Sequence, residues 1–124
     1  MALLLLIDDD EFYCRIMERE LSDAGHTVVS AQSGAQGLAH YCEQLPDLVL
    51  TDMNMPGMDG AEVIRSVRAI NKRARIIAVS GAATFYNIDY FKLAREVGAD
   101  VVVRKLDPIE RLINEVEALL RCPV

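Results

Sequence analysis

The sequence predicts an α/β fold in which a parallel five-stranded sheet is covered by helices on both faces. Short apolar runs of strand length alternate with segments of helical periodicity through the 124 residues. These runs are continuously apolar, which is typical of strands that are buried on both faces of a parallel sheet. Right-handed crossovers between five strands and five helices in strict alternation give a doubly wound, three-layer sandwich. We expect one domain over residues 1–124, with no output domain.

The predicted strands are the apolar runs themselves, at residues 2–7, 28–31, 48–51, 76–79 and 101–103. The helices between them are predicted from apolar spacing and from residues that start or stop a helix. They cover residues 11–24, 33–44 with Ser33 as the cap, 61–70, the mid-80s to 97, and 108–120. Gly25 and Gly98 are expected to end the first and fourth helices, and Pro46 blocks continuation of the second. Pro108 is expected in the first turn of the last helix.

Composition and charge exclude several classes of function. Acidic residues outnumber basic residues 19 to 13, so the net charge is −6, which opposes binding to nucleic acid or to an anionic membrane. No apolar run approaches the ~20 residues that span a bilayer, and the opening run lacks the basic leader of a signal peptide. Three distant cysteines without metal-ligand spacing suggest reduced thiols. We therefore expect a cytoplasmic protein.

Polar residues follow four of the predicted strands, at the sheet edge where ligands bind in doubly wound folds. The set is Asp8, Asp9 and Asp10 after the first strand, Asp52 after the third, Ser80 after the fourth and Lys105 after the fifth. Clustered carboxylates with access to water suit Mg²⁺. A carboxylate beside a metal ion and a lysine is suited to attack phosphorus and form an acyl phosphate. The set therefore predicts a phosphoryl-transfer site.

Four stretches of the chain resemble the receiver domain of two-component response regulators. They are LLIDDDE at 5–11, PDLVLTDMNMPGMDG at 46–60, AVSG at 78–81 and GADVVVRK at 98–105. The resemblance spans essentially the whole chain and implies the flavodoxin-like form of the α/β fold. It also implies a signalling domain that catalyses its own phosphorylation and dephosphorylation, rather than a turnover enzyme.

The resemblance implies a role for each matching residue. Asp52 matches the phosphoacceptor, which takes its phosphoryl group from a histidine kinase or a histidine phosphotransfer protein. Ser80 matches the switch hydroxyl that moves onto the phosphoryl oxygen, and Lys105 matches the lysine that pairs with that group. Output is expected through a downstream protein target or through onward transfer in a phosphorelay.

The resemblance also implies the Mg²⁺ ligands. Asp9 matches a direct ligand and Asp8 a ligand that acts through water, while Asp52 and the backbone carbonyl of Asn54 complete the set. Asp9 and Asp10 form a second acidic pair, so the register has an alternative. The Asp8–Asp9 register is preferred because Asp8 directly ends the apolar run.

Three features depart from the family pattern. Leu106 follows Lys105 where the family has a proline, so we expect a trans peptide bond there. Val102 replaces the aromatic that normally swings inward on activation, and valine is too stiff and small for that motion. The stretch between Ser80 and Gly98 is longer by about a turn, and residues 81–84 are expected to form a mobile loop over the site.

Two of these departures motivate an alternative function. A degenerate receiver would act as a phosphorylation-independent interaction module. Helix 4 carries four aromatics, Phe85, Tyr86, Tyr90 and Phe91, of which two are expected to pack inward. The others would face the surface of helix 4, the fifth strand and helix 5, where the family meets partners or forms homodimers. A phosphohydrolase using Asp8 and Asp10 is disfavoured because no cap region is present, and no phosphate-binding glycine motif supports nucleotide binding.

Overall fold

A parallel five-stranded sheet forms the centre of the molecule in the computed structural model, which describes residues 2–81, 84–85 and 88–122. In chain order the elements are β1 (Leu3–Ile7), α1 (Glu11–Asp23), β2 (Thr27–Ala31), α2 (Gly34–Gln44), β3 (Leu48–Asp52), α3 (Gly60–Ile70), β4 (Ile76–Ser80), β5 (Thr84–Phe85), β6 (Ile88–Asp89), α4 (Tyr90–Val97), β7 (Val101–Arg104) and α5 (Ile109–Arg121). The strand order in the sheet is β2-β1-β3-β4-β7, and every neighbouring pair is parallel. The predicted doubly wound fold is confirmed, and each predicted strand agrees with the structure to within one residue at either end.

Two apolar layers cover the sheet because successive residues of each strand point to opposite faces. On one face, Leu4 and Leu6 pack in a buried cluster with α1 and α5. On the other face, Leu5 and Ile7 pack in a second cluster with α2, α3 and α4. The continuous apolar runs in the sequence arise from this burial on both faces.

The start of α4 corrects the sequence prediction of a helix from the mid-80s. Thr84–Phe85 and Ile88–Asp89 instead pair antiparallel as β5 and β6, and α4 begins at Tyr90. The helix starts there because the Asp89 side chain accepts hydrogen bonds from the backbone N–H groups of Phe91 and Lys92, both at 3.1 Å. It ends as predicted at Gly98, whose φ of 113° is readily adopted by glycine.

The predictions for Pro108 and for the residues around the 81–84 loop can also be compared with the structure. Pro108 precedes α5 as its cap residue and is not in the first turn, because its ψ of 142° is extended and not helical. The loop predicted at 81–84 includes residues 82 and 83, which lie outside the described residues, as do Tyr86 and the side chain of Phe85. Of the remaining predicted aromatics, Tyr90 is buried and Phe91 is half-buried, with the Arg104 guanidinium 5.5 Å from the centre of its ring.

Candidate functional site

The sheet register brings the predicted site residues side by side at the carboxyl edge. Ile7 pairs with Thr51, which places Asp8 and Asp52 one residue further along on adjacent strands. Asp52 pairs with Val79, and Ser80 pairs with Arg104. Ser80 directly follows Val79, and Lys105 directly follows Arg104. These two residues therefore lie in the same row at the carboxyl edge as Asp8 and Asp52. The Lys105 N–H also donates to the Ser80 carbonyl oxygen at 2.9 Å.

Three carboxylates form an acidic cluster at this edge. One oxygen from each of Asp8, Asp9 and Asp52 lies within 4.8 Å of the other two. Asp8 and Asp52 are buried, whereas Asp9 is exposed and opens the cluster to solvent. The Asp10 side chain instead accepts a hydrogen bond from the Tyr13 N–H at 3.1 Å and caps α1. This geometry favours the Asp8–Asp9 register over the Asp9–Asp10 alternative.

Backbone hydrogen bonds fix one oxygen of each buried carboxylate. Asp8 Oδ1 accepts from the Asp10 N–H at 2.9 Å, and Asp52 Oδ1 accepts from the Met53 N–H at 2.9 Å. The second oxygen of each carboxylate contacts the Lys105 ammonium. Nζ lies 2.6 Å from Asp8 Oδ2 and 3.6 Å from Asp52 Oδ2. A single lysine therefore bridges the two buried acids.

Lys105 reaches the site without the proline that the family pattern places after it. The described residues contain no cis peptide bond, so the predicted trans bond to Leu106 is confirmed. Leu106 itself is 89% exposed and points into solvent. The side chain of Lys105 is only 19% exposed, and it points back into the acidic cluster.

The pKa shifts in the cluster arise first from burial of the carboxylates and then from repulsion between their charges. Burial raises the pKa of Asp52 to about 6, with a further contribution from the Asp8 charge, although Lys105 and the Met53 N–H oppose both. Burial likewise raises the pKa of Asp8, against the opposing effect of Lys105. Burial would lower the pKa of Lys105, but the Asp8 hydrogen bond and the Asp52 charge outweigh it and raise that pKa. Three carboxylates facing one ammonium favour an additional cation.

The donor set fits a magnesium ion. Mg²⁺ prefers hard oxygen ligands, uses few carboxylates and retains several waters, and the exposed Asp9 carboxylate leaves room for those waters. The buried Asp8 Oδ2 atom is paired with the Lys105 ammonium at 2.6 Å, and Asp52 Oδ2 shares the same ammonium at 3.6 Å. Across the described ranges, no second group of three acidic, histidine or cysteine ligands comes this close together. Asn54 lies two residues after Asp52 and is exposed, and its carbonyl stays a predicted ligand.

The β3–α3 connection holds Asp52 in place through a close backbone approach. The Gly60 N–H donates to the Met53 carbonyl oxygen at 3.0 Å. A Cβ atom at position 60 would lie 2.2 Å from the Asp52 carbonyl oxygen, a distance that no side chain tolerates. Met53 and Met55 are buried and anchor the intervening loop. Glycine at position 60 is therefore required for α3 to start directly against the site.

Ser80 and Val102 lie where the sequence pattern predicts. Ser80 is buried at the end of β4, next to the Lys105 backbone. Val102 lies in β7, is half-buried, and packs against the cluster formed with α2, α3 and α4. The role of Ser80 as a switch hydroxyl stays a prediction.

Sequence reasoning missed one residue of the site, Tyr13. Its ring centre lies 4.5 Å from the Lys105 ammonium, so the aromatic ring borders the acidic cluster from α1. Burial and the charges of Asp8 and Asp52 raise the pKa of its hydroxyl, which stays protonated. The sequence does indicate that Tyr13 lies in the first turn of α1. Because helical side chains lean toward the N-terminus of their helix, a side chain in that turn can reach the acidic residues that precede α1.

Comparison with known proteins agrees with this geometry. Residues 4–117 match the family model described as the response regulator receiver domain. The transcriptional regulatory protein PrrA of Mycobacterium tuberculosis is 32% identical over 118 residues, which are 95% of this chain and 49% of that protein. The chain thus spans about half the length of that regulator. Sporulation initiation phosphotransferase F of Bacillus subtilis is 31% identical over 117 residues, which are 94% of this chain and 92% of that protein.

A solved structure shares the same architecture. The response regulator protein TrrA from Thermotoga maritima, in complex with Mg²⁺ and BeF, superposes with a TM-score of 0.84 at 27% identity. The match covers 96% of this chain and 99% of that one. No helix in the part of the chain that the structure describes is long and apolar enough to cross a membrane. The family match over nearly the whole sequence, together with the row of acidic residues and lysine at the strand ends, shows that this chain belongs to the response regulator receiver domain family.

Proposed function

We propose that Asp52 accepts a phosphoryl group from a histidine kinase or a histidine phosphotransfer protein and thereby switches a signalling output. The observation that carries this proposal is the pairing of Asp52 with Lys105, 3.6 Å apart, inside the acidic cluster. Asp52 is nearly buried but lies beside the exposed Asp9, so a donor group has access from one side. A nucleophile, a cation and a solvent-facing acid are the parts that phosphoryl transfer to a carboxylate needs.

The transfer step exchanges one bond to phosphorus for another. An oxygen of the Asp52 carboxylate attacks the phosphorus of a phosphoimidazole whose other ring nitrogen is protonated, the bond from phosphorus to the donor nitrogen breaks, and neutral imidazole leaves with that electron pair. Lys105, now paired with Asp8 at 2.6 Å, is in reach to pair with the oxygens of the transferred group. Ser80, at the end of the adjacent strand, supplies the hydroxyl for the same group.

The metal site of this proposal uses the acidic cluster. Asp8, Asp9, Asp52 and the Asn54 carbonyl would hold Mg²⁺, which supplies positive charge against the phosphoryl oxygens. Without a cation, bringing a phosphoryl group to three carboxylates is opposed by repulsion. The raised pKa of Asp52 agrees with this requirement, because burial and then the neighbouring Asp8 charge both disfavour the ionised carboxylate.

The output of the domain passes to another protein. Similarity to a sporulation phosphotransferase supports onward transfer in a relay, and similarity to a transcriptional regulator supports an effector that responds to the phosphorylated state. The surface formed by α4, β7 and α5 carries Phe91 and Arg104, which contact each other. This surface is the proposed contact for a downstream protein or for a second copy of the chain.

The alternative is a phosphorylation-independent interaction module. It is favoured by Val102 in place of an aromatic switch residue and by the exposed Leu106 after the lysine. Such a module needs neither Mg²⁺ nor a phosphoryl group for its partner affinity. Partner binding that is the same before and after acyl phosphate and Mg²⁺ treatment would favour this alternative.

The first test is phosphorylation by a small donor. Acetyl phosphate and Mg²⁺ are expected to add one phosphoryl group to the wild-type chain, as read by intact mass, and none to Asp52→Asn. Asp23→Asn, an exposed aspartate of α1, is the matched control and should gain the group like the wild type. An unmodified wild type, or equal modification of Asp52→Asn, would overturn the proposal.

A further inference from the structure

We infer that Tyr13 is a positioning residue of the phosphoryl-transfer site, with its aromatic face holding the Lys105 ammonium between Asp8 and Asp52. This inference deepens the proposed function and rests on it. The family resemblance gives no role to position 13. Tyr13 lies in α1 and Lys105 lies in the β7–α5 loop, so their contact joins these two segments.

One atom, Lys105 Nζ, makes all the contacts in question. It lies 4.5 Å from the centre of the Tyr13 ring, 2.6 Å from Asp8 Oδ2 and 3.6 Å from Asp52 Oδ2. A cation within about 6 Å of a ring centroid is attracted by the ring quadrupole, and the attraction grows when the pair is shielded from water. The ammonium is therefore held by two carboxylates and one aromatic face.

Beyond these contacts, the Lys105 side chain borders a cavity. Lysine is a compact charge on a flexible four-carbon stem, so its position depends on what packs around that stem. A cavity of about 70 Å³ borders Lys105 and is also lined by Tyr13, Met17 and Leu112. After the lysine the chain turns outward, with Leu106 in solvent. The Tyr13 ring is thus a wall of this cavity next to the ammonium.

Tyr13 is also tied to the acidic residues of the site through its own backbone. Its N–H donates to Asp10 Oδ1 at 3.1 Å, and the Asp10 N–H donates to Asp8 Oδ1 at 2.9 Å. The residue after Tyr13, Cys14, contacts the Asp8 carbonyl oxygen with its Sγ atom at 3.4 Å. The backbone of Tyr13 is therefore linked to the segment that carries Asp8, and the contact between the ring and Lys105 connects the lysine to the same segment.

The simpler explanation is that Tyr13 fills space between α1 and α5. Tyr13 does pack against the apolar cluster on that face, so a change there can affect packing alone. The two explanations predict different effects of a Tyr13 substitution when Lys105 is absent. A space-filling ring affects the site equally with or without the lysine, whereas a positioning ring has no further effect once the lysine is removed.

The first measurement reads the contact without any phosphoryl donor. The chain has three lysines, and Lys72 and Lys92 are exposed, so they serve as internal references. In proton–carbon NMR spectra, the Lys105 side-chain protons should lie upfield of the other two, because they sit over an aromatic ring. The upfield shift should persist in Tyr13→Phe and disappear in Tyr13→Leu. Lys105 resonances that coincide with the two references in the wild type would overturn the inference.

The second measurement is a double-mutant cycle on the rate of phosphorylation by acetyl phosphate. Tyr13→Leu should slow the reaction roughly three- to tenfold, the size expected for loss of a shielded cation–π contact, and Tyr13→Phe should restore it. In a Lys105→Ala background, Tyr13→Leu should cause no further loss. Phe12→Leu, an exposed aromatic of the same turn, is the matched control and should not change the rate.

The outcomes separate this inference from the proposed function. A wild type that is not phosphorylated overturns the proposed function and the positioning role together. A phosphorylated wild type with an equally fast Tyr13→Leu variant overturns the positioning role alone. A loss in Tyr13→Leu that is just as large in the Lys105→Ala background also overturns it, because the ring then acts through packing.

Discussion

At the scale of single residues, burial makes the three carboxylates of the site unequal. Asp9 is exposed, whereas Asp8 and Asp52 are buried and share the single cation Lys105. One lysine compensates two buried negative charges incompletely, and burial with the neighbouring Asp8 charge raises the pKa of Asp52 to about 6. Folding therefore carries a free-energy cost at pH values where Asp52, the proposed nucleophile, is ionised.

Because the buried, ionised Asp52 carboxylate opposes folding, we predict that Asp52→Asn stabilises the metal-free protein. Because the pKa of Asp52 rises from 3.8 to about 6 on folding, its ionised form opposes folding above pH 6. In chelator at pH 8, Asp52→Asn should raise the free energy of unfolding by about 1–3 kcal/mol. The gain should shrink as the pH falls through 6 and vanish below about 3.8, where the wild-type group is protonated in both states. Urea unfolding across this pH range measures it.

The control for this prediction is Asp23→Asn, which makes the same change at an exposed position of α1. A surface change of this kind should shift the free energy of unfolding by less than about 0.5 kcal/mol throughout the same pH range. An Asp52→Asn variant that is no more stable than the wild type at pH 8 would contradict the electrostatic description of the site.

The identities of the strand-end residues could be predicted from sequence, but the contacts of Tyr13 could not. Asp8, Asp52 and Lys105 end or follow apolar runs, and parallel strands bring their carboxyl ends to one edge of the sheet. The Tyr13–Lys105 contact depends on how α1 is rotated and on how the β7–α5 loop folds back. Neither leaves a periodic signal in the sequence.

At the scale of elements, the β3–α3 connection decides how rigidly Asp52, the proposed phosphoacceptor, is held. Asp52 is the last residue of β3, and α3 starts eight residues later with Gly60 against the Asp52 backbone. The hydrogen bond from the Gly60 N–H to Met53 closes this loop. The position of Asp52 therefore depends on the N-terminus of α3 as well as on the sheet.

Gly60→Ala is predicted to damage the fold at this point. The new Cβ would lie 2.2 Å from the Asp52 carbonyl oxygen, so either α3 or the end of β3 must move. We expect a loss of about 2 kcal/mol or more in the free energy of unfolding, as measured by urea titration. Gly81→Ala is the matched control, because its Cβ would meet nothing closer than 3.8 Å. Equal stability of the two variants would contradict this account of the connection.

The element prediction that was wrong shows where local sequence signals compete. The sequence pattern predicts one helix from the mid-80s to residue 97, yet the structure places β5 and β6 before Tyr90. Asp89 is the physical reason, because its side chain caps the N–H groups of Phe91 and Lys92. An aspartate inside an apolar segment has this effect only when the preceding residues leave the helical conformation, which periodicity alone does not indicate.

At the scale of the whole molecule, the doubly wound topology makes one site from distant parts of the sequence. Asp9, Asp52 and Lys105 lie at the carboxyl ends of three different strands and meet because β1, β3, β4 and β7 are adjacent and parallel. This arrangement could be predicted almost completely, since continuous apolar runs and right-handed crossovers leave few alternatives. The net charge of −6 adds to the local excess of negative charge, so binding of a cation should stabilise the whole domain.

The most direct test of the central claim, that Asp8, Asp9 and Asp52 form one divalent-cation site around the phosphoacceptor, is the dependence of stability on Mg²⁺. The wild-type free energy of unfolding should rise by about 1.4 kcal/mol for each tenfold increase in Mg²⁺ above its dissociation constant. Asp9→Ala should abolish that rise, whereas Asp10→Ser, which can still cap α1, should retain it. A rise that survives Asp9→Ala, or a wild type that does not respond to Mg²⁺, would contradict the account.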